Sequence, residues 1–148
     1  MITATQIEEV IANLEQGLIE NDFAFENQGF WQYINSASFK GLTVEEHKLL
    51  FFINSVIFHS FKAAEISTEE KDLELFQKIE DENWEIHQDI NNWEATKNKF
   101  FEDYEEEDLL AFVEDMTSGD DNTLSDLGQE VIFITSKTYI DFLLRQNN

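Results

Sequence analysis

Three features of the sequence predict an all-α fold, a single-domain helical bundle of about five to seven helices over residues 1–148. First, Thr5 with Glu8, Thr43 with Glu46, and Ser67 with Glu70 have the Ser/Thr-x-x-Glu spacing of a capping box. In such a box the hydroxyl and the carboxylate satisfy each other's backbone donors at a helix start. Second, apolar residues recur at i, i+3 and i+4, the period of an amphipathic helix. Third, the chain has no proline, so helix ends must be set by Gly, Asn and N-caps. A chain of 148 residues is long enough for one sizeable core and short for two.

The first helix follows the Thr5 box, with Ile7, Val10, Ile11, Leu14 and Leu18 on one stripe and Gly17 near its end. An aromatic-rich stretch punctuated by Gly29 and Gly41 then predicts a short helix near 28–35. The segment from Thr43, "TVEEHKLLFFINSVIFHSFKAAEI", is apolar almost all round from Leu49 to Phe61. A helix apolar on every side is buried on every side, so this one, about 44–65, is placed at the centre. Its apolar run is too short to cross a bilayer.

A long helical pattern runs from Thr68 to about Tyr104, with Asn83 or the Asn91–Asn92 pair as the places it could break. An acidic helix follows at about 105–116, and "TSGDDNTLSD" reads as a loop. In the last segment "VIFIT" has the composition of a buried strand. A lone strand has no partner for its backbone groups, and Asp126 with Gln129 supplies a helix start, so helix is the expectation.

The chemistry is narrowed by charge. The 32 Asp and Glu outnumber the 9 Lys and Arg, for a net charge of −23, and Arg145 is the only arginine. Without a basic stripe to neutralise phosphates, direct binding to nucleic acid or an anionic membrane is not expected. The absence of cysteine removes disulfides, thiolate zinc sites and thiol catalysis. The first residues have neither the basic nor the apolar region of a signal peptide. A cytoplasmic location is therefore expected.

No catalytic or cofactor motif is present, and no metal site is assigned. The histidines, His47, His59 and His87, lack the HExxH spacing, and none has a Glu three residues before it as di-iron bundles require. His59 reads as a core histidine, and His87, between Glu85 and Asp89, as surface decoration. The oxygen-rich "SGDDNTLSDLGQE" fails the calcium-loop pattern in both registers: from Asp120, positions five and twelve are Leu124 and Val131, and from Asp121 position six is Asp126 and twelve is Ile132. Weak divalent binding at Asp120, Asp121 and Asp126 is the residual metal reading. Phosphate-cradling glycine loops and a GxSxG elbow are absent.

The sharpest functional feature is "FEDYEEEDLLAFVEDMTSGDD", residues 101–121, with ten carboxylates and no cation. Leu109, Phe112, Val113 and Met116 form its core-facing stripe, and acids from Glu105 to Asp108 are ordinary at the positive end of the helix dipole. Glu114 and Asp115 sit in the last turn, where negative charge opposes the dipole by roughly 0.3–1 kcal/mol each. Asp120 and Asp121 follow at once. Leu110 amid Glu107, Glu114 and these acids reads as an apolar anchor with a charged rim, the layout of a protein-binding patch.

The function expected is a non-enzymatic acidic protein-binding module (an inhibitor, immunity-like protein or adaptor) for a basic protein partner, acting through Glu107, Leu110, Glu114, Asp115, Asp120 and Asp121. The alternatives are a housekeeping domain or homodimer whose acidity serves solubility, and an enzyme with a weak divalent-cation or carboxylate site.

Overall fold

In the computed structural model, residues 1–36, 39, 41–118 and 124–147 are described. They form eight helices and no strand: α1 (Ala4–Glu15), α2 (Phe23–Glu26), α3 (Gln28–Ile34), α4 (Val44–Ala63), α5 (Leu73–Ile90), α6 (Trp93–Phe101), α7 (Glu107–Thr117) and α8 (Asp126–Gln146). The all-α expectation holds, with one helix more than the upper end of the expected range. No described helix is long and apolar enough to cross a membrane.

The capping boxes are decided by their surroundings. The Thr43 box forms as read, with Thr43 N–H donating to Glu46 at 2.8 Å and Glu46 N–H donating to the Thr43 hydroxyl at 3.1 Å. Helix α1 starts two residues before the expected box: its N-cap is Thr3, paired with Gln6. That start puts Ile2 and Ile7 at the two staple positions flanking the cap, and both are buried. The helix ends before Gly17, whose φ of +71° is left-handed and favours glycine there.

The Ser67–Glu70 box does not form. Helix α5 starts instead from Asp72, whose carboxylate accepts from Glu74 N–H at 3.0 Å and Leu75 N–H at 3.4 Å. Glu70 is engaged elsewhere: its carboxylate accepts from Phe30 N–H, at the start of α3, at 3.0 Å. It lies so close to Gly29 that a Cβ there would collide with it. The long pattern after Thr68 breaks at Asn91, left-handed at φ 55°, and Asn92 caps α6 by accepting from Ala95 N–H at 2.9 Å. Asn83 is not a break but a buried residue within α5.

Helix α4 is the buried central helix expected, and α8 shares the core with it. Helix α4 is buried continuously from Ile53 to Phe61, and α8 from Ile132 to Leu143. The "VIFIT" residues are helical. Glu46 meets Ser125, and Asn54 meets Ser136, so α4 and α8 run in the same direction. Phe76 meets Phe142, Asn83 meets Thr138 and His87 meets Glu130, so α5 runs antiparallel to α8. Aromatic rings fill the centre, with Phe23 5.7 Å from Phe30, Phe51 and Tyr139. Helix α7 closes the bundle against α1, α4 and α8.

Because α4 and α8 start at the same end, one carboxylate serves both. Buried Glu46 accepts from Thr43 N–H and also from Ser125 N–H at 3.1 Å and the Ser125 hydroxyl at 2.9 Å. Burial alone pushes its carboxyl up, but the Thr43 and Ser125 donors together hold it below its ordinary value. Two positive dipole ends favour the same charge.

Candidate functional site

The acidic helix differs from its sequence reading at its proposed anchor. Leu110 is fully buried, not exposed. Because α7 packs against three helices, its buried stripe is Leu109, Leu110, Val113 and Thr117, and Phe112 and Met116 move to half-buried flanks. Glu107 and Asp115 are exposed and Glu114 is half-buried. Asp120 and Asp121 lie outside the described residues, and with them the residual divalent site. Two acids read as ordinary dipole companions are long-range caps. Glu106 accepts from Ile2 N–H at 2.7 Å, and Asp108 accepts from Ala4 N–H at 3.1 Å. Burial pushes the Glu106 carboxyl up despite the Ile2 bond and the chain's amino group.

The displaced flank nevertheless builds a surface feature. A groove of about 170 Å³ lies between α1 and α7. Its apolar lining is Ile7, Ile11 and Phe112, and its acids are Glu8, Asp108 and Asp115. Of the sequence-selected residues only Asp115 belongs to it.

The α5–α8 interface holds two polar sites that sequence reasoning missed. In the first, Lys137 Nζ donates to Asp141 Oδ2 at 2.7 Å and to Asn83 Oδ1 at 3.1 Å. Asn83 Nδ2 donates to Thr138 at 3.0 Å and to Asp141 at 3.1 Å, and the Tyr104 hydroxyl donates to Asp141 Oδ1 at 2.6 Å. Lys137 Nζ also stands 4.7 Å from the Phe100 ring centre and 5.1 Å from that of Tyr104, within cation–π range. The Lys137 and Asp141 side chains are 9% exposed. Burial and then the Asp141 charge push the Tyr104 hydroxyl well above its usual range, so it stays a donor. The i, i+4 spacing of Lys137 and Asp141 in an otherwise uncharged run from 131 to 144 is the available signal.

One turn along α5, the Tyr33 hydroxyl donates to Glu80 Oε1. Glu80 is buried and forms no ion pair with a described residue. Burial, countered by the Tyr33 bond and reinforced by Asp81, raises its carboxyl above the ordinary value. Tyr33, Phe39, Glu80, Trp84, Val131 and Thr135 line a cavity of about 270 Å³. Thr135 is 1% exposed, yet its Oγ1 has no hydrogen-bond partner. An unsatisfied buried hydroxyl costs about 1–3 kcal/mol, which makes it conspicuous at a cavity wall. Positions 33, 80 and 135 share no spacing that sequence reading could use.

Two of the three histidines, His59 and His87, brace the bundle. His59 is buried, 3.3 Å from Asn21 Oδ1, the core role expected of it. Burial and then Lys62 hold its imidazole below the usual range. His87 is half-buried rather than surface decoration: it joins α5 to Thr96 on α6 at 2.7 Å and to Glu130 on α8 at 3.2 Å. Among the described residues no group of three or more His, Asp or Glu is arranged to hold a metal ion.

No protein-family model, curated protein or solved structure matches the chain.

Proposed function

We propose that the protein is a non-enzymatic acidic module that binds a basic protein partner, receiving an amphipathic basic segment in the α1–α7 groove. One observation carries the reading: Ile7, Ile11 and Phe112 line one groove together with Glu8, Asp108 and Asp115 in a chain of net charge −23. The groove replaces Leu110 as the anchor. Glu107, Glu114 and the acids after α7 then act as a surrounding field. Such a field mainly raises the association rate and selects against acidic partners.

The test uses a labelled Leu/Lys amphipathic helix, the same composition in scrambled order, and a Leu/Glu counterpart, each titrated by fluorescence anisotropy at several KCl concentrations. The Leu/Lys helix should bind best. Phe112→Ala should speed its dissociation, and Glu114→Lys with Asp115→Lys should slow its association and flatten the salt dependence. Equal binding of ordered and scrambled peptides, unchanged by Phe112→Ala, would assign the acidity to solubility alone. A protein that sediments as a dimer and loses that state on Phe112→Ala would assign the groove to a second copy of the chain.

A further inference from the structure

The two polar sites of the α5–α8 interface repeat one chemical plan. In each, a tyrosine hydroxyl donates to a buried carboxylate: Tyr104 to Asp141, and Tyr33 to Glu80. In each, aromatic side chains form part of the wall: Phe100 and Tyr104 stand over the Lys137 ammonium in the first, and Phe39, Trp84 and Tyr33 line the cavity in the second. In each, α5 and α8 add a further polar group: Asn83 in the first, Thr135 in the second. The first arrangement encloses the ammonium of Lys137. The second encloses a cavity of about 270 Å³.

We propose that the cavity lined by Tyr33, Phe39, Glu80, Trp84 and Thr135 is a receptor site for an alkylammonium group, carried by a small amine or by a lysine side chain. The donor count selects this ligand. The Tyr33 hydroxyl is used on Glu80 Oε1; Glu80 Oε2 receives no hydrogen bond from a described residue, and the Thr135 hydroxyl has no partner of either kind. An ionised carboxylate only accepts and the hydroxyl can accept too, so one group that satisfies both is a donor. An ammonium has three donors and no acceptor, whereas a guanidinium would bring five donors to too few partners. Aromatic faces attract the same cation, while Glu80 and neighbouring Asp81 repel an anion. The raised carboxyl of Glu80 fits a buried charge that a bound cation would stabilise. The proposal does not depend on the α1–α7 groove.

The full chain is titrated at constant ionic strength with n-butylammonium chloride and, separately, with Nα-acetyl-lysine methylamide; n-butanol and sodium butyrate are the controls. The readouts are the indole N–H resonance of Trp84 and the backbone amide of Thr135. Butylammonium should move both resonances saturably, and the controls should not. Glu80→Gln should weaken binding at least about tenfold, the scale of a charge-assisted hydrogen bond. It alters a net charge of −23 by a single unit, so diffuse attraction of cations stays nearly the same. Thr135→Val, which keeps the side chain's shape, should weaken binding about threefold to tenfold. Binding of butylammonium alone assigns the site to free small amines; binding of both probes extends it to lysine side chains. No saturable shift with either amine, or saturation unaltered in both variants, would overturn the assignment.

Discussion

Asn83 and Glu80 lie one turn apart on α5, and both are buried against α8. Around Asn83 the donors and acceptors meet: Lys137, Asp141, Thr138 and Tyr104 each find a partner. Around Glu80 they do not, since Thr135 Oγ1 is unpartnered and the carboxylate has no described cation. Burial, helix pair and residue types are nearly the same, so none of these distinguishes the two. The difference is satisfaction. A buried polar network with every member paired specifies how two helices dock. One left incomplete and open to a cavity is the feature on which the proposed ammonium site rests. The same contrast explains why an acidic residue does not by itself mark a binding surface. Glu46, Glu70 and Glu106 each accept backbone N–H groups from a distant segment, and Asp108 does so while also lining the α1–α7 groove.

The comparison is broken most severely by removing the cation from the satisfied site. Lys137→Met keeps much of the side chain's volume but leaves Asp141 buried and charged with Tyr104 and Asn83 alone. Losing one partner of a buried pair costs roughly 3–5 kcal/mol, and urea unfolding should show a loss of that order. A loss below about 1 kcal/mol, the range of surface pairs, would mean that solvent already compensates Asp141. The claimed difference between the two sites would then fail.

Glu46 supplies an intermediate case, a buried carboxylate satisfied by N–H and O–H donors instead of a cation. Glu46→Ala strands Thr43 N–H, Ser125 N–H and the Ser125 hydroxyl, and should cost about 2 kcal/mol at neutral pH. The folded carboxyl is held below its ordinary value of 4.5, so its contribution is fully present above that pH and is lost as pH falls through the lower folded value. Chemical denaturation of the two proteins should therefore converge in acid. A gap that stays constant down to the acid transition would mean that Glu46 acts by packing rather than as an ionised double cap.

What could be read from the sequence follows the range of the interactions involved. The Thr43–Glu46 box, the all-round apolar α4 and the αL break at Asn91 depend on neighbours within a turn or so, and they appear where the sequence places them. The sequence misplaces Leu110 because Leu109, Leu110, Phe112, Val113 and Met116 spread over nearly half the circumference of α7, roughly 160° at 3.6 residues per turn. Which side faces inward depends on α1, α4 and α8 arriving together. Glu70 was misread for a similar reason: its local box lost to the N-terminus of α3, 40 residues away. The Glu80 cavity draws on residues 33, 39, 80, 84, 131 and 135, and no local pattern connects them. A search guided by runs of charge passes over a lone buried carboxylate.

The smallest expected effect is of opposite sign and separates the two sites most cleanly. Glu80→Gln keeps an oxygen to accept from Tyr33 while removing a desolvated charge that has no cation. At pH 7 it should modestly stabilise the protein, because it removes a buried charge that has no cation. The sign with pH follows from the raised folded value. The charge opposes folding only once it is present, so the cost is absent below the ordinary value of 4.5. It grows as pH rises through that value and is complete above the folded one. Wild type and variant should thus be equally stable in acid and diverge toward neutrality, with the variant the more stable. Saturating n-butylammonium should then reverse the order at pH 7, because a ligand that binds only the folded state stabilises it, and here only wild type has the carboxylate. Divergence with pH but no reversal would leave Glu80 as an uncompensated buried charge without a ligand. A variant less stable than wild type at pH 7 would mean that Glu80 is already neutralised in the fold, and the two sites would then be alike.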